Sequence, residues 1–444
     1  MLPFLPLLGL APLISAAPTS GRFNILSFNV AGLPAILNSN GVPGDKTTNT
    51  AIIGQKFAAS NIDLIQVQED FNYHATLYEN DNHPYRTATS GGVPIGSGLN
   101  TLSNFEWVDF DRVKWEKCSD IAAADCLTPK GFTFMRVKIS EGVWVDAYNI
   151  HTDASATAID KWARRSNMEQ VSEYITKNSY GNPVLVFGDS NSLYTREGDV
   201  PTIFRTEQNM TDVWIELIRH GVEPTPGSDV TQCNDAEVPS STECETLDKV
   251  WYRGSSLMDL KATMFQYATK TFLQPDGSVL SDHNPIQVDF EWGLSEKYRM
   301  SDYWGGPHGD FFNDMPALDA VAAPAVKSVT IRGANRVDAV SITLTNGQTF
   351  THGGTGGTAY NLTLADGETV TEVELCQAKY ETATKSHTRI FFMSVKTSAG
   401  NTISAGVRTE ECVTRTAESG WGVVGFVGRS GDEVDRLGLI YGKH

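Results

Sequence analysis

Near residue 293 the chain changes texture, and a change of that kind restricts it to two separately cored units. From Phe23 to about Trp292 short apolar runs alternate with turn clusters and a few amphipathic helices. The runs FNILSFNV, DLIQVQE, GFTFMRVKI, VWVDAYNI, PVLVFGD and PIQVDFEW are rich in β-branched and aromatic residues, as strands require. After His151 the period lengthens. Ile159, Trp162, Met168, Val171 and Ile175 recur at helical spacing, which predicts a helix with Asp160, Lys161, Arg165 and Glu169 on its other faces. The polar stretch GLSEKYRMSD follows this half, and beyond it Gly, Thr and Val dominate without helical periodicity. Runs such as VKSVTIRG, AVSITLTN, TVTEVELCQ, IFFMSVKT and GVVGFVG read as short strands between turns. At 444 residues the chain exceeds the span over which one core keeps growing. We therefore expect an α/β unit over residues 22–292, a linker over 293–300 and an all-β unit over 301–444.

Residues 1–17, MLPFLPLLGLAPLISAA, form an apolar stretch that ends in small residues and is too short and Pro-rich to span a bilayer. It reads as a signal peptide cut after Ala16 or Ala17, which makes the protein secreted and extracellular. No later run is long enough for a transmembrane anchor. In an oxidising compartment six cysteines without a CxxC pair point to disulfides rather than metal thiolates. The expected bridges are Cys118 with Cys126, Cys233 with Cys244 and Cys376 with Cys412, because each pair stays within one loop or unit. Sequons at Asn209 and Asn361 fit glycosylation of an exported chain. A net charge of −18 disfavours long-range attraction to polyanions, although divalent cations held in an acidic cleft reverse the field locally.

Six segments of the first half share one feature: a polar or acidic residue at or near the end of an apolar run. They are Asn29 in ILSFNVAGLP, Glu69 in DLIQVQED, His151 in YNIHTD, Asp189 and Asn191 in VLVFGDSN, Asp248 in LDKVWY, and Asp282 with His283 in LSDHNP. Each alone is an ordinary solvated turn or structural histidine. Together, in this order, they predict strand ends that converge on one sheet edge, where open α/β sheets place their sites.

On Gln68-Glu69, on GDSN at residues 188–191 and on SDH at residues 281–283, the half from 22 to 292 resembles the endonuclease/exonuclease/phosphatase superfamily. The resemblance implies a DNase-like four-layer α/β sandwich and a Mg²⁺-dependent phosphoric ester hydrolase, with Mn²⁺ or Ca²⁺ as alternative ions. It assigns Asn29 and Glu69 to the metal. Asp189 and Asn191 position water or the phosphoryl group, His151 and His283 donate to phosphate or leaving group, Asp248 orients His283, and Asp282 assists. A hard cation held by carboxylate and amide oxygens suits a phosphodiester, whose cleavage is limited by charge on its non-bridging oxygens. Lys130-Gly131 before a strand, and DKWARRSNMEQ after His151 with Arg164 or Arg165 in it, are similar to the sphingomyelinase and inositol-phosphatase branches. A phospholipase C-like activity on a phosphosphingolipid or inositol phospholipid is the first expectation, and a secreted endonuclease with a nucleic-acid substrate is the second. A third, from another class, is a glycan-binding protein whose first unit is inactive. No long aromatic hairpin is visible, and Ser190 replaces the bulkier residue of GDFN or GDLN.

In the second half, WGGPHGDFFND at residues 304–314 and GFVGRSGDEVDRLGLIYG at residues 425–442 resemble the first and last strands of jacalin-related lectins. The resemblance implies an all-β prism of three small sheets that binds carbohydrate. It makes Asp435 the carboxylate that accepts sugar hydroxyls, with Asp432 and Glu433 supplying backbone amides and Gly309 lying opposite. His308 departs from the glycine-rich pattern of that family.

Overall fold

The computed structural model of the protein describes residues 18–37, 40–121, 125–381 and 386–444. The expected signal peptide over 1–17 lies outside the described residues. In the first half the strands are β1 Ser20–Asn29, β2 Leu64–Gln68, β3 Tyr85–Arg86, β4 Asn100–Ser103, β5 Trp107–Lys114 and β6 Gly131–Ser140. They continue as β7 Val143–His151, β8 Val184–Asp189, β9 Thr211–Asp212, β10 Asp248–Arg253, β11 Met258–Tyr267 and β12 Ile286–Leu294. The helices are α1 Lys46–Ala59, α2 His74–Asn80, α3 Ala158–Asn178, α4 Ile203–Gln208 and α5 Val213–Leu217.

These strands form two six-stranded sheets, ordered β11-β12-β1-β2-β4-β3 and β5-β6-β7-β8-β10-β9. Each sheet has one parallel pair near its middle, β1 with β2 and β7 with β8, among antiparallel neighbours. Side chains alternate across a strand, so one run feeds two cores. Leu185 and Phe187 of β8 pack between the sheets with Ile25, Val145 and Val288, whereas Val184 and Val186 join Met168, Val171 and Ile175 of α3 on the outer face. Leu26 and Phe28 of β1 likewise turn outward to Ile53 and Phe57 of α1. Helix, sheet, sheet and helix thus stack in four layers, as the sequence led us to expect.

The face of α3 differs from expectation. Its buried stripe is Asp160, Ala163, Arg164, Asn167, Met168, Val171, Ser172 and Ile175. Ile159 and Trp162 are exposed by 46% and 53%. Asp160 forms a capping box with Thr157 and accepts from Ser119 Oγ at 2.6 Å, which turns it inward. Ile159 and Trp162 each precede a stripe residue by one position, roughly 100° off the buried line.

The second half contributes β13 Tyr298–Met300, β14 Trp304–Gly305, β15 Asp310–Asn313, β16 Val326–Gly333, β17 Val337–Leu344 and β18 Thr349–Gly353. After these come β19 Thr358–Thr363, β20 Val370–Glu381, β21 Ser386–Thr397, β22 Thr402–Gly406, β23 Glu411–Thr416, β24 Trp421–Ser430 and β25 Val434–Lys443. They build three antiparallel sheets, β13-β25-β24-β15 with β14 on β25, β18-β17-β16-β19 and β22-β21-β20-β23, around one apolar core that includes Val340, Val373, Met393 and Leu437. The stretch expected as a linker is absorbed at both ends, since Gly293–Leu294 close β12 and Tyr298–Met300 pair with β25.

The two halves meet through buried polar groups. Arg136 has no exposed surface; it donates to both oxygens of Asp146 at 2.9 and 2.7 Å, to Asp109 at 2.9 Å and to the Asn178 carbonyl at 2.6 Å. Its guanidinium stacks 3.9 Å from the Phe311 ring centre of the second half. Trp144 meets Tyr303 edge to face at 5.0 Å, and Lys138 pairs with Asp302 at 2.6 Å. All three expected disulfides are formed. Asn209 and Asn361 are both exposed.

Arg164 is buried and holds Asp199 at 2.5 Å together with the carbonyls of Asp153 and Ser155 at 2.9 Å, whereas Arg165 is exposed. Arg164→Met leaves a buried carboxylate short of a partner and is expected to cost about 3 kcal/mol. Arg165→Met should stay within about 0.5 kcal/mol of the parent. Urea unfolding of the two variants checks both values, and equal stability would remove Arg164 from this structural role.

Candidate active site and candidate sugar site

The parallel strand pairs put their C-terminal ends side by side. Asn29 closes β1 opposite Gln68 of β2, and His151 closes β7 opposite Asp189 of β8. Asp248 arrives differently from the expectation that every site residue ends a strand. It begins β10, which runs antiparallel to β8 and sets Asp248 in register with Asp189, so the same edge is reached from the opposite chain direction. Asp282 and His283 lie in the loop before β12, tied down by Ser281, whose hydroxyl donates to the Asn29 carbonyl at 2.6 Å.

All eight expected residues gather at this edge. Glu69, His151, Asp189, Asn191, Asp282 and His283 line one cavity of about 660 Å³. Asn29 joins Glu69 and Asp189 from below by donating to them at 3.3 and 3.2 Å. Asp248 receives His283 Nδ1 at 2.7 Å. The Nε2 atoms of His151 and His283 stand 3.5 and 3.7 Å from Asp189 Oδ2. The Asn191 amide donates to Asp189 Oδ1 at 3.0 Å and its side chain to the Thr152 carbonyl at 3.2 Å. Asp282 accepts from Asn40 at 2.7 Å. Ala31, Glu69 and Asn191 all hold left-handed backbone, with φ of 50°, 57° and 47°. For residues with a Cβ this conformation costs energy and persists where surroundings enforce it.

Burial and neighbouring charge sort the protonation states. Burial raises Asp189, but His283, His151 and Lys130 outweigh it and hold the carboxyl below its usual range. Burial opposes charge on His283, yet Asp248 and Asp189 lift it well above an ordinary histidine. His151 goes the other way: burial, helped by Lys130, lowers it to about 3. Around neutral pH the site therefore holds an ionised Asp189 between a neutral His151 and a protonated His283. Burial also raises Glu69 and Asp248.

Two further residues belong to the site. Lys130 opens onto the cavity and pairs with Asp125, which also lines it. Lys130-Gly131 carried a signal in the sequence, the basic residue just before a strand. Asp125 carried none beyond its neighbour Cys126, since the disulfide to Cys118 is what sets its loop.

The donor set fits a hard divalent cation. Glu69 Oε2 is buried with no hydrogen-bond partner among the described residues, ligand atoms of Asp189, Asp248 and His283 lie within 4.8 Å of one another, and carboxylate oxygens are the preferred ligands of such ions. Asn29 points Nδ2 at the two carboxylates and accepts from the Ala31 amide at 3.1 Å. As placed it holds Glu69 and Asp189 together, and ligation through Oδ1 would need the amide to turn.

At the tip of the second half, the turn over residues 431–433 joins β24 to β25 and brings Asp435 against Gly309. A Cβ on Gly309, whose φ is +71°, would sit 2.6 Å from Asp435 Oδ2, so only glycine allows this approach. Asp435 Oδ1 is buried without a hydrogen-bond partner among the described residues. The Glu433 side chain is taken by Arg336 at 2.5 Å and by Arg389. The backbone of Asp432 approaches Gly354 closely. The His308 ring meets that of His387 edge to face, with centres 3.8 Å apart.

Residues 46–222 match the Endonuclease/Exonuclease/phosphatase family 2 model, and residues 301–440 match the Jacalin-like lectin domain. The protein thus joins an endonuclease/exonuclease/phosphatase domain to a jacalin-like lectin domain. Among individual proteins, the chain is 34% identical over 280 residues to sphingomyelinases of Mycobacterium bovis and Mycobacterium tuberculosis, covering 62% of this chain and 53% of theirs. The chain therefore spans about half the length of these curated relatives. Secreted RxLR effector protein 19 of Plasmopara viticola is 27% identical over 154 residues, covering 33% of this chain and 82% of that protein. Beta toxin from Staphylococcus aureus overlies 62% of this chain and 100% of its own at 17% identity and TM-score 0.43. Malaysian banana lectin overlies 33% of this chain and 98% of its own at 25% identity and TM-score 0.28.

Glu69→Gln keeps the shape of the site and removes its orphaned carboxylate charge. Mg²⁺ binding followed by calorimetry should weaken by about tenfold or more. Binding equal to the parent would place the ion elsewhere.

Proposed function

We propose that the first domain is a secreted, Mg²⁺-dependent phosphodiesterase of the phospholipase C type, acting on a phosphosphingolipid or inositol phospholipid. The second domain would hold it to glycan-bearing surfaces. One observation carries the catalytic reading: ionised Asp189 is buried between two histidines of opposite protonation, in the same cavity as the unpaired oxygen of Glu69. Paired titratable groups pushed apart by their surroundings are the signature of acid–base work. The lipid substrate is supported by the identity with proteins called sphingomyelinases and by the net charge of −18, which opposes the multiple phosphate contacts a nuclease makes.

In this reading Lys130 and His151 face the non-bridging oxygens of the phosphate from one side of the cavity, and Asn191 from the loop after β8 orients it. Glu69 would hold a divalent cation, which would neutralise charge on those oxygens. Asp189 accepts a hydrogen bond from the attacking water and aligns it with phosphorus. His283 exchanges a proton through Nε2, and the bond from Nδ1 to Asp248 fixes its ring and steadies its charged form. Asp282, held by Asn40, keeps the His283 loop in place.

Phosphorus NMR of mixed sphingolipid and inositol phospholipid vesicles with Mg²⁺ should show a single accumulating phosphomonoester. Excess EDTA should abolish it. Rapid breakdown of plasmid DNA by the pure protein, with lipids untouched, would replace the lipid reading with a nuclease. Asp248→Asn, which weakens the hold on His283, is expected to lower kcat about 10²–10³-fold; wild-type turnover would remove the dyad from the mechanism.

For the lectin domain the support is the close approach of Gly309 to a buried carboxylate, one oxygen of which makes no hydrogen bond and faces Arg389 Nε at 3.4 Å. Burial, with repulsion by Glu433, raises Asp435 to about 6 against the pull of Arg389, Arg429 and Arg436. Above that pH the carboxylate is ionised and accepts two hydroxyl hydrogens; below it, one oxygen carries a proton and that acceptor is lost. Sugar affinity should therefore fall as pH drops from about 7 to about 5, as measured by calorimetry with simple methyl glycosides. A flat profile would take Asp435 out of sugar binding.

A further inference from the structure

We propose that the catalytic domain completes the sugar site of the lectin domain, with Asp109 acting as a positioning residue for the loop that carries Gly309. The inference rests on the reading of the second domain as a glycan binder.

Asp109 lies on β5, the edge strand of its sheet, at a bulge between Val108 and Asp111 where the register to β6 shifts. Its φ is +57°. A bulge with left-handed backbone at a non-glycine residue is a device for re-aiming one side chain, and here the side chain leaves its own domain. Burial opposes its charge, but Arg136, Arg436 and Arg429 surround it and hold the carboxyl below its usual range. Arg136 belongs to its own domain and donates at 2.9 Å. Arg436, on β25, pairs with Oδ1, and Arg429, on β24, stands 3.7 Å from Oδ2.

The two lectin arginines have a second task. Arg429 donates through Nε to the His308 carbonyl at 3.3 Å and through Nη2 to the Gly309 carbonyl at 2.8 Å. Arg436 donates through Nε to the Gly305 carbonyl at 3.3 Å. Both therefore grip the loop from Gly305 to Gly309 with one edge of the guanidinium and face Asp109 with the other. Gly309 is the residue packed against Asp435. The chain of contacts runs from the catalytic domain through two rigid guanidinium planes to the carboxylate that would accept the sugar. Without the charge of Asp109, three arginines face one another, and the carboxylates left to draw Arg429 and Arg436 include Asp435, which both already influence. The loop would then lose its alignment and Asp435 its freedom as an acceptor.

The test uses the full chain. Asp109→Asn keeps the side-chain shape, and asparagine tolerates left-handed backbone. Arg429→Met removes the grip on His308 and Gly309 while leaving Arg136, Asp109 and Arg436 in place, so it decides the matter should Asp109→Asn fail to fold by circular dichroism. Lys138→Met breaks the contact to Asp302, an interdomain pair that involves neither Asp109 nor the two lectin arginines. Binding of methyl α-mannoside and methyl α-galactoside is followed by calorimetry, and turnover by a soluble chromogenic phosphodiester. The expected result is a Kd about tenfold or more higher in Asp109→Asn and Arg429→Met, an unchanged Kd in Lys138→Met, and unchanged turnover in all three. A parent that binds neither glycoside would defeat the glycan reading itself. A parent that binds, with Asp109→Asn and Arg429→Met binding equally well, would defeat only the role of Asp109. Equal weakening in Lys138→Met would also defeat it, by showing that any loosening of the interface suffices.

Discussion

A single carboxylate, Asp189, sits almost out of contact with water where three strands meet, and the architecture of the first domain serves to keep it ionised there. Burying a carboxylate costs several kcal/mol unless opposite charge and hydrogen bonds offset the loss of water. The offset comes from four distant segments. Asn29 arrives on β1, His151 on β7, Lys130 ahead of β6, and His283 from the loop before β12, where Asp248 supports it. None of these segments supplies two of the partners, so the site exists only once both sheets are stacked. The parallel pairs β1–β2 and β7–β8 matter because a parallel register delivers both strand ends to one edge. A collection of antiparallel hairpins would deliver every second end to the wrong side.

Much of this was legible in the chain because its chemistry is local. An amide, a carboxylate or an imidazole at the end of an apolar run is visible without knowing the fold, and so were the short disulfide loops and the shift to all-β texture after Trp292. What escaped notice depended on chain direction and rotation. Asp248 was expected at the site, but it opens its strand instead of ending it, and only the antiparallel pairing of β10 with β8 brings it to the edge. The face of α3 was misread because apolar Ile159 and Trp162 fit a helical period, while the capping box at Thr157 and Asp160 and the buried Arg164 fix the actual rotation. Polar groups decided that face, and hydrophobic counting does not see them. Asp125 was invisible because its place comes from a disulfide loop and an ion pair rather than from a strand.

The join between the domains shows the same dependence on buried polar groups. The polar stretch after Trp292 led to the expectation of a linker over 293–300. The structure has instead a strand, β13, stitched to β25 within a few residues of the end of β12, and a fully buried arginine bridging Asp109, Asp146 and the Phe311 ring. Interfaces of this kind fix orientation, because removing either partner strands a charge away from water.

That fixed orientation has a geometric consequence. Part of the join lies at the ends of the strands opposite the candidate site: Gly142, in the turn before β7, donates to Asp302 at 2.8 Å, while His151 closes the same strand at the site. Nine residues of extended chain separate these points, roughly 30 Å at the usual rise per residue. This end of the join therefore stands far from the cavity, and the buried polar contacts keep it there. If the second domain holds a glycan as proposed, a stiff join would present the cavity at one height and orientation above the glycan-bearing surface, where a flexible linker would spread it over many.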